Sequence, residues 1–126
     1  MKYLAICNDD MLFQFMRRVS AKQGEVLFLV QDPVAARRIR RSGARCLSGP
    51  LDGKRIYKKM RLEGIHQAII FVRDTNLRKR VITLLRSHRK GMPILLLSSG
   101  QKAGGNQKDP SIREILLEDI FQEFCA

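Results

Sequence analysis

Short, almost continuously apolar runs recur along the chain, each followed by an amphipathic stretch, and this alternation restricts the fold more than any other feature. Leu4-Ala5-Ile6, Glu25–Val30 (EVLFLV), Gln67–Val72 (QAIIFV) and Ile94–Leu97 read as strands. A strand that is apolar at nearly every position is covered on both faces, the usual situation in a parallel sheet with helical crossovers. Arg45-Cys46-Leu47 gives a short further strand broken by Ser48-Gly49-Pro50, and Ile112 to Leu117 gives a sixth. The intervening segments carry helical spacing. From Met11 onward, Leu12, Phe15, Met16 and Val19 share one face, with Arg17, Arg18 and Lys22 near the end where positive charge suits the helix dipole. Asp32-Pro33 opens a helix over Pro33–Ser42 that Gly43 closes. A basic helix over Lys54–Leu62 turns Ile56 and Met60 inward, with Tyr57 a further candidate, and Gly64 ends it. Thr75 caps a longer helix reaching about Arg89, with Leu77, Val81, Leu84, Leu85 and His88 as its inner stripe. Strict alternation with right-handed crossovers predicts an α/β fold: a doubly wound, mostly parallel sheet of about six strands with helices on both faces.

At 126 residues and 44% hydrophobic the chain is expected to form one domain with a real core. No apolar run approaches the roughly 20 residues of a membrane span, and polarity returns at Asn8, too early for a signal peptide. A cytoplasmic domain without membrane insertion is the expectation. Ser98 to Pro110 is glycine-rich and polar, and reads as a loop. Glu118 to Phe124 would open a further helix, so the segment is expected to be the N-terminal part of a larger protein. Cys7, Cys46 and Cys125 form no CxxC pair, and His66 and His88 stand at no metal-ligand spacing. Buried reduced thiols and a satisfied helix-end His88 are the plain reading. No catalytic constellation can be assembled, and no metal site is expected.

Twenty-four Lys and Arg against twelve Asp and Glu leave a net charge of +12, which attracts polyanions. Arg37, Arg38, Arg40 and Arg41 on one helix, and Lys54, Arg55, Lys58, Lys59 and Arg61 on the next, would form a single positive face for nucleic acid or another polyanion. Tyr57 is the only aromatic among them, so base stacking has little material.

Asp32 to Thr75 (DPVAARRIRRSGARCLSGPLDGKRIYKKMRLEGIHQAIIFVRDT) resembles the TrkA-N family, the Rossmann-like N-terminal domains of potassium-uptake and potassium-conductance regulators. Aspartate-proline opens the second helix, and Gly43, Gly49, Gly64-Ile65 and Ala68-Ile69-Ile70 follow in the family's order; the resemblance covers about Lys2 to Ser98. It implies NAD(H) or adenine-nucleotide binding, homodimer pairing, and an attached C-terminal domain: a potassium transporter or channel, or a DHH-type phosphoesterase. The cleft it implies comprises Cys7, Asn8, Asp9, Asp10, Met11, Leu12, Val30, Asp32, Gly49, Pro50 and Arg73. The family's three glycines fall on Cys7, Asp9 and Leu12, its ribose-binding acid on Val30, and the aspartate of its Gly-Asp turn on Pro50. Asp9 and Asp10 place carboxylates where a pyrophosphate would need free N–H groups, so nucleotide binding is expected to be weak or lost. The expected function is therefore non-catalytic: a regulatory or interaction domain with a degenerate nucleotide site.

A basic nucleic-acid-binding accessory domain is one alternative. A response-regulator receiver is another, with Asp9 and Asp10 as paired acids and Leu95–Ser99 as the hydroxyl-bearing strand end. In that reading Ser48-Gly49 stands where the acceptor aspartate should end the third strand, leaving only Asp74 as acceptor.

Overall fold

A computed structural model of the chain describes residues 2–23, 25–99 and 110–120, and the side chains of all of these except 18–23. The strands are β1 (Lys2–Cys7), β2 (Glu25–Val30), β3 (Arg45–Ser48), β4 (Gln67–Phe71), β5 (Ile94–Ser98) and β6 (Ile112–Leu116). The helices are α1 (Met11–Gln23), α2 (Pro33–Arg41), α3 (Lys54–Lys59) and α4 (Thr75–His88). All six strands join one parallel sheet in the order β3-β2-β1-β4-β5-β6. The expected α/β, doubly wound, Rossmann-like architecture is what forms. β1 lies between β2 and β4, so the chain winds outward in opposite directions from it, and the crevice at the C-terminal ends of β1 and β4 is where such sheets hold ligands. A receiver domain would place β3 beside β1, so this strand order rules that alternative out.

The period-2 alternation of each strand divides the core in two. Tyr3, Ala5 and Cys7 of β1 face one cluster, which α1 covers with Leu12, Phe13 and Met16, and α2 with Ala35, Ala36 and Ile39. Leu4 and Ile6 face the other, covered by Tyr57 of α3 and by Val81 and Leu85 of α4. Five of the six β1 residues and all of β5 are fully or nearly fully enclosed, which is why those runs carry no polar alternation until Ser98.

Several boundaries differ from the sequence reading. α3 stops at Lys59 rather than Leu62, because Met60 goes extended (φ −78°, ψ 132°) and drops its side chain into the core. A separate 3-10 turn over Leu62–Gly64 then lowers Leu62 beside it. Asp74, not Thr75, caps α4, its carboxylate accepting the N–H groups of Asn76 (2.9 Å) and Leu77 (3.2 Å). His88 is exposed instead of ending the inner stripe; its Nδ1 lies 2.9 Å from the Leu84 carbonyl, the helix-end satisfaction expected of it. On α1, Phe13 is buried and Phe15 only half-buried. β6 ends at Leu116, and Leu117–Asp119 is a 3-10 turn. Val19's side chain, most of the 98–110 loop, the 121–124 part of the expected last helix and Cys125 lie outside the described residues.

Among the described residues no helix is long and apolar enough to cross a membrane.

Candidate functional site

β1 ends at Cys7, β4 at Phe71 and β2 at Val30, and the turns that leave them build the crevice. Asn8 starts the first turn. Its carbonyl accepts the N–H groups of Gln31 (3.2 Å) and Asp32 (3.1 Å), and its amide nitrogen donates to Gln31 Oε1 at 3.0 Å. These three bonds tie the ends of β1 and β2 together. Val30, the position of the family's ribose-binding acid, is buried and apolar. The Asp32 carboxylate caps α2, accepting the Val34 N–H at 3.0 Å.

Asp9 occupies the head of α1. Its Oδ1 accepts the Met11 N–H at 2.9 Å, so the first free donor of that helix meets the chain's own carboxylate. The Cys7 thiol lies 3.5 Å from the same oxygen. Burial pushes the Cys7 thiol up to about 11, and the neighbouring Asp9 charge acts in the same direction. Asp10 turns the other way and pairs with Arg38 of α2 at 2.9 Å, a second strap between α1 and α2. A phosphate at the head of α1 would stand close to the Asp9 carboxylate. At about 4 Å that unit charge repels a phosphate charge by about 1 kcal/mol in water and about 4 kcal/mol at an effective dielectric of 20.

What remains open lies on the β4 side. A cavity of about 180 Å³ is bounded by Cys7, Asn8, Asp9, Phe71 and Arg73. Arg73 stands over the Phe71 ring with its guanidinium carbon 5.5 Å from the centroid, and its Nη2 lies 3.5 Å from Met11 Sδ. Beyond Arg73 a second cavity of about 320 Å³ is lined by Thr75, Arg78, Ser98 and Ser99 among others. Ser98 Oγ donates to Glu114 Oε2 at 2.9 Å. The sequence reading singled out Arg73 for the crevice; it named Thr75 only as a helix cap and Ser98 and Ser99 as the strand end of the receiver alternative, and did not name Arg78. Their positions at the first turn of α4 and the end of β5 would have pointed to them, once β4 and β5 were set side by side.

The predicted cleft residues are therefore only partly brought together. Cys7, Asn8, Asp9 and Arg73 line one cavity. Leu12 is wholly buried and Met11 half-buried, so neither offers a contact of the glycine kind. Gly49 takes a left-handed φ of +153° and its N–H donates to Val30 O at 3.2 Å, which closes the β2–β3 end by backbone. Pro50 is exposed at the turn that follows.

The predicted polyanion face divides. Arg37, Arg38, Arg40 and Arg41 are exposed on α2, on one side of the sheet, and Lys54, Arg55, Lys58 and Lys59 are exposed on α3, on the other. Only Arg40, Lys59 and Arg61 converge, around the N-terminal end of β3, where Lys2 and Arg45 join them.

No family model matches the chain, and no curated protein matches it. Among solved structures it is similar to the NAD(P)-binding domain of an exopolyphosphatase-related protein from Archaeoglobus fulgidus. The two share 16% identity with a TM-score of 0.76, over 96% of this chain and 91% of that one. The likeness is one of fold.

Proposed function

We propose that the chain is a non-catalytic regulatory and interaction domain of the TrkA-N type, whose dinucleotide site is closed by its own groups and which acts on an attached domain through its surfaces. One observation carries this reading: the Asp9 carboxylate sits on the Met11 N–H at the head of α1. The Asn8–Gln31 and Asp10–Arg38 straps close the same side of the crevice. NAD(H) or an adenine nucleotide is the ligand that the fold and the similar NAD(P)-binding domain would lead one to expect, and these contacts argue that it binds weakly or not at all. Of the attached domains that the TrkA-N resemblance implies, the phosphoesterase gains support from the exopolyphosphatase-related context of that structure, and the potassium transporter or channel gains none. A cytoplasmic location and pairing as a homodimer belong to the same proposal.

Calorimetric titration with NADH, ATP, ADP and a cyclic dinucleotide tests the reading. Dissociation constants weaker than millimolar for all four are expected. Micromolar affinity for any of them, lost on Arg73→Gln, would overturn it.

A further inference from the structure

A cavity of about 550 Å³ has no part in the crevice. It lies at the opposite end of the sheet, where β1, β2 and β3 begin, about 17 Å away at the usual rise of a strand. Its floor is apolar. Val26, Cys46, Met60 and Ile65 are core residues that each keep 6–7% of their surface exposed, and Leu27 and Leu47 are half-buried.

The rim is cationic. Lys2, Arg40, Arg45, Lys59 and Arg61 surround the opening, and Glu25 is the single carboxylate among them. That carboxylate is shared between Lys2 (3.8 Å) and Arg45 (4.0 Å), so four positive charges stay uncompensated at the rim. The early end of α3 creates this arrangement. Extended backbone at Met60 sends its side chain inward and leaves Lys59 and Arg61 exposed on either side of it. Arg40 is held against the wall by donating from Nε to the Cys46 carbonyl at 2.9 Å. Burial keeps the Cys46 thiol protonated to about pH 11, so the floor adds no negative charge.

An apolar floor of ligand size beneath converging cations fits one kind of molecule. We propose that this cavity binds an amphipathic organic anion, with an acyl or aryl body on Leu27, Leu47, Met60 and Ile65, which share one side of the sheet, and an acidic head group held by Lys59, Arg61 and Arg45. A nucleic acid is a poorer fit, because its phosphates would leave the apolar floor uncovered. The same chemistry is carried by a free acyl or aryl carboxylate and by an anionic lipid within a bilayer.

Dodecanoate titrated calorimetrically into the chain, with displacement of anilinonaphthalene sulfonate fluorescence as a second readout, tests the proposal. One dodecanoate per chain is expected, with an affinity that falls as salt rises. Lys59→Gln with Arg61→Gln should weaken it by about tenfold or more, the loss of two charge-assisted contacts. Leu47→Trp should block it, with circular dichroism reporting the fold. Lys54→Gln with Arg55→Gln, at the other end of α3, should leave it unchanged. Equal binding of uncharged dodecyl maltoside, several equivalent sites per chain, no binding, or insensitivity to the Lys59 and Arg61 substitutions would each overturn it. Flotation with phosphatidylglycerol vesicles, lost in the same double variant, would assign the lipid source; dodecanoate binding without flotation would assign the free anion. Because the cavity is remote from the crevice, neither result depends on whether a nucleotide binds there.

Discussion

Asp9 does at the head of α1 what a bound phosphate does in a dinucleotide-binding domain: it supplies negative charge to free N–H groups. The neighbouring Cys7 shows the cost of enclosing that turn, since its thiol is buried against a carboxylate and its proton becomes harder to remove. Cys46 is raised likewise, from 9.0 to about 11, by burial, with the Arg40 charge opposing. Tyr57 is raised above its usual 10.0 by burial and then by the Asp52 charge, while its hydroxyl donates to the Leu51 carbonyl at 2.6 Å. These shifts make stability depend on pH in the alkaline range. The folded chain keeps these protons at pH values where the unfolded chain has released them. Stability is therefore fully present below about pH 9 and falls as pH rises toward 11, by about 1.4 kcal/mol per pH unit for each group in transition. Urea unfolding followed from pH 7 to 10.5 should give a flat midpoint to about pH 8.5 and then a steady fall. A midpoint unchanged at pH 10.5 would mean that the thiols and Tyr57 are not enclosed as described.

At the scale of elements, the strands were readable because burial on both faces leaves an unbroken apolar run: Glu25–Val30 appears where the sequence placed it, and Gln67–Phe71 stops one residue short of the expected Val72. The helix ends were less readable, because they depend on tertiary packing that local pattern does not contain. Lys54 to Leu62 carries helical spacing throughout, yet the chain leaves α3 at Met60 so that Met60 and Leu62 can both reach the core. Asp74 and Thr75 are both good caps by composition, and only the backbone decides for Asp74, whose φ and ψ are extended. The turn between β3 and α3 offers a direct check. Gly49 has φ +153°, and a Cβ there would stand 2.5 Å from Ile56 Cδ1. Ile56 can give way, but the backbone conformation cannot, so Gly49→Ala should destabilise by about 1–3 kcal/mol. Gly64 has open space around its would-be Cβ and no left-handed φ, and Gly64→Ala should stay within about 0.5 kcal/mol of the parent. Denaturant midpoints of the two variants measure the contrast, and equal midpoints would contradict this account of the Gly49 turn.

At the scale of the whole molecule, the number of cations was plain in the sequence while their distribution was not. Charge counts along α2 and α3 say nothing about which side of the sheet each helix covers. That is fixed by the period-2 alternation of β1, with Ala5 toward α1 and α2 and Ile6 toward α3 and α4. The contacts around the crevice were legible in part: Asp9 and Val30 stand in the sequence, but the Asn8–Gln31 and Asp10–Arg38 straps join residues 23 and 28 positions apart and appear only once β1 and β2 are paired. The division of charge has a measurable consequence for polyanion binding. If Arg37, Arg38, Arg41, Lys54, Arg55, Lys58, Lys59 and Arg61 all met one duplex, the affinity would fall with salt at a log–log slope of about −7, at about 0.9 per neutralised phosphate. With α2 and α3 on opposite sides of the sheet, converging only through Arg40, Lys59 and Arg61, and with Arg38 already held by Asp10, one duplex cannot reach all the cations of both helices. A slope no steeper than about −4 is therefore expected for a short DNA or RNA duplex, measured by fluorescence anisotropy across a salt series. Charge reversal on the helix in contact should flatten the slope, and reversal on the other helix should leave it in place. A slope near −7 that both sets of reversals reduce would show the two helices gripping one polyanion together, and would restore the single positive face.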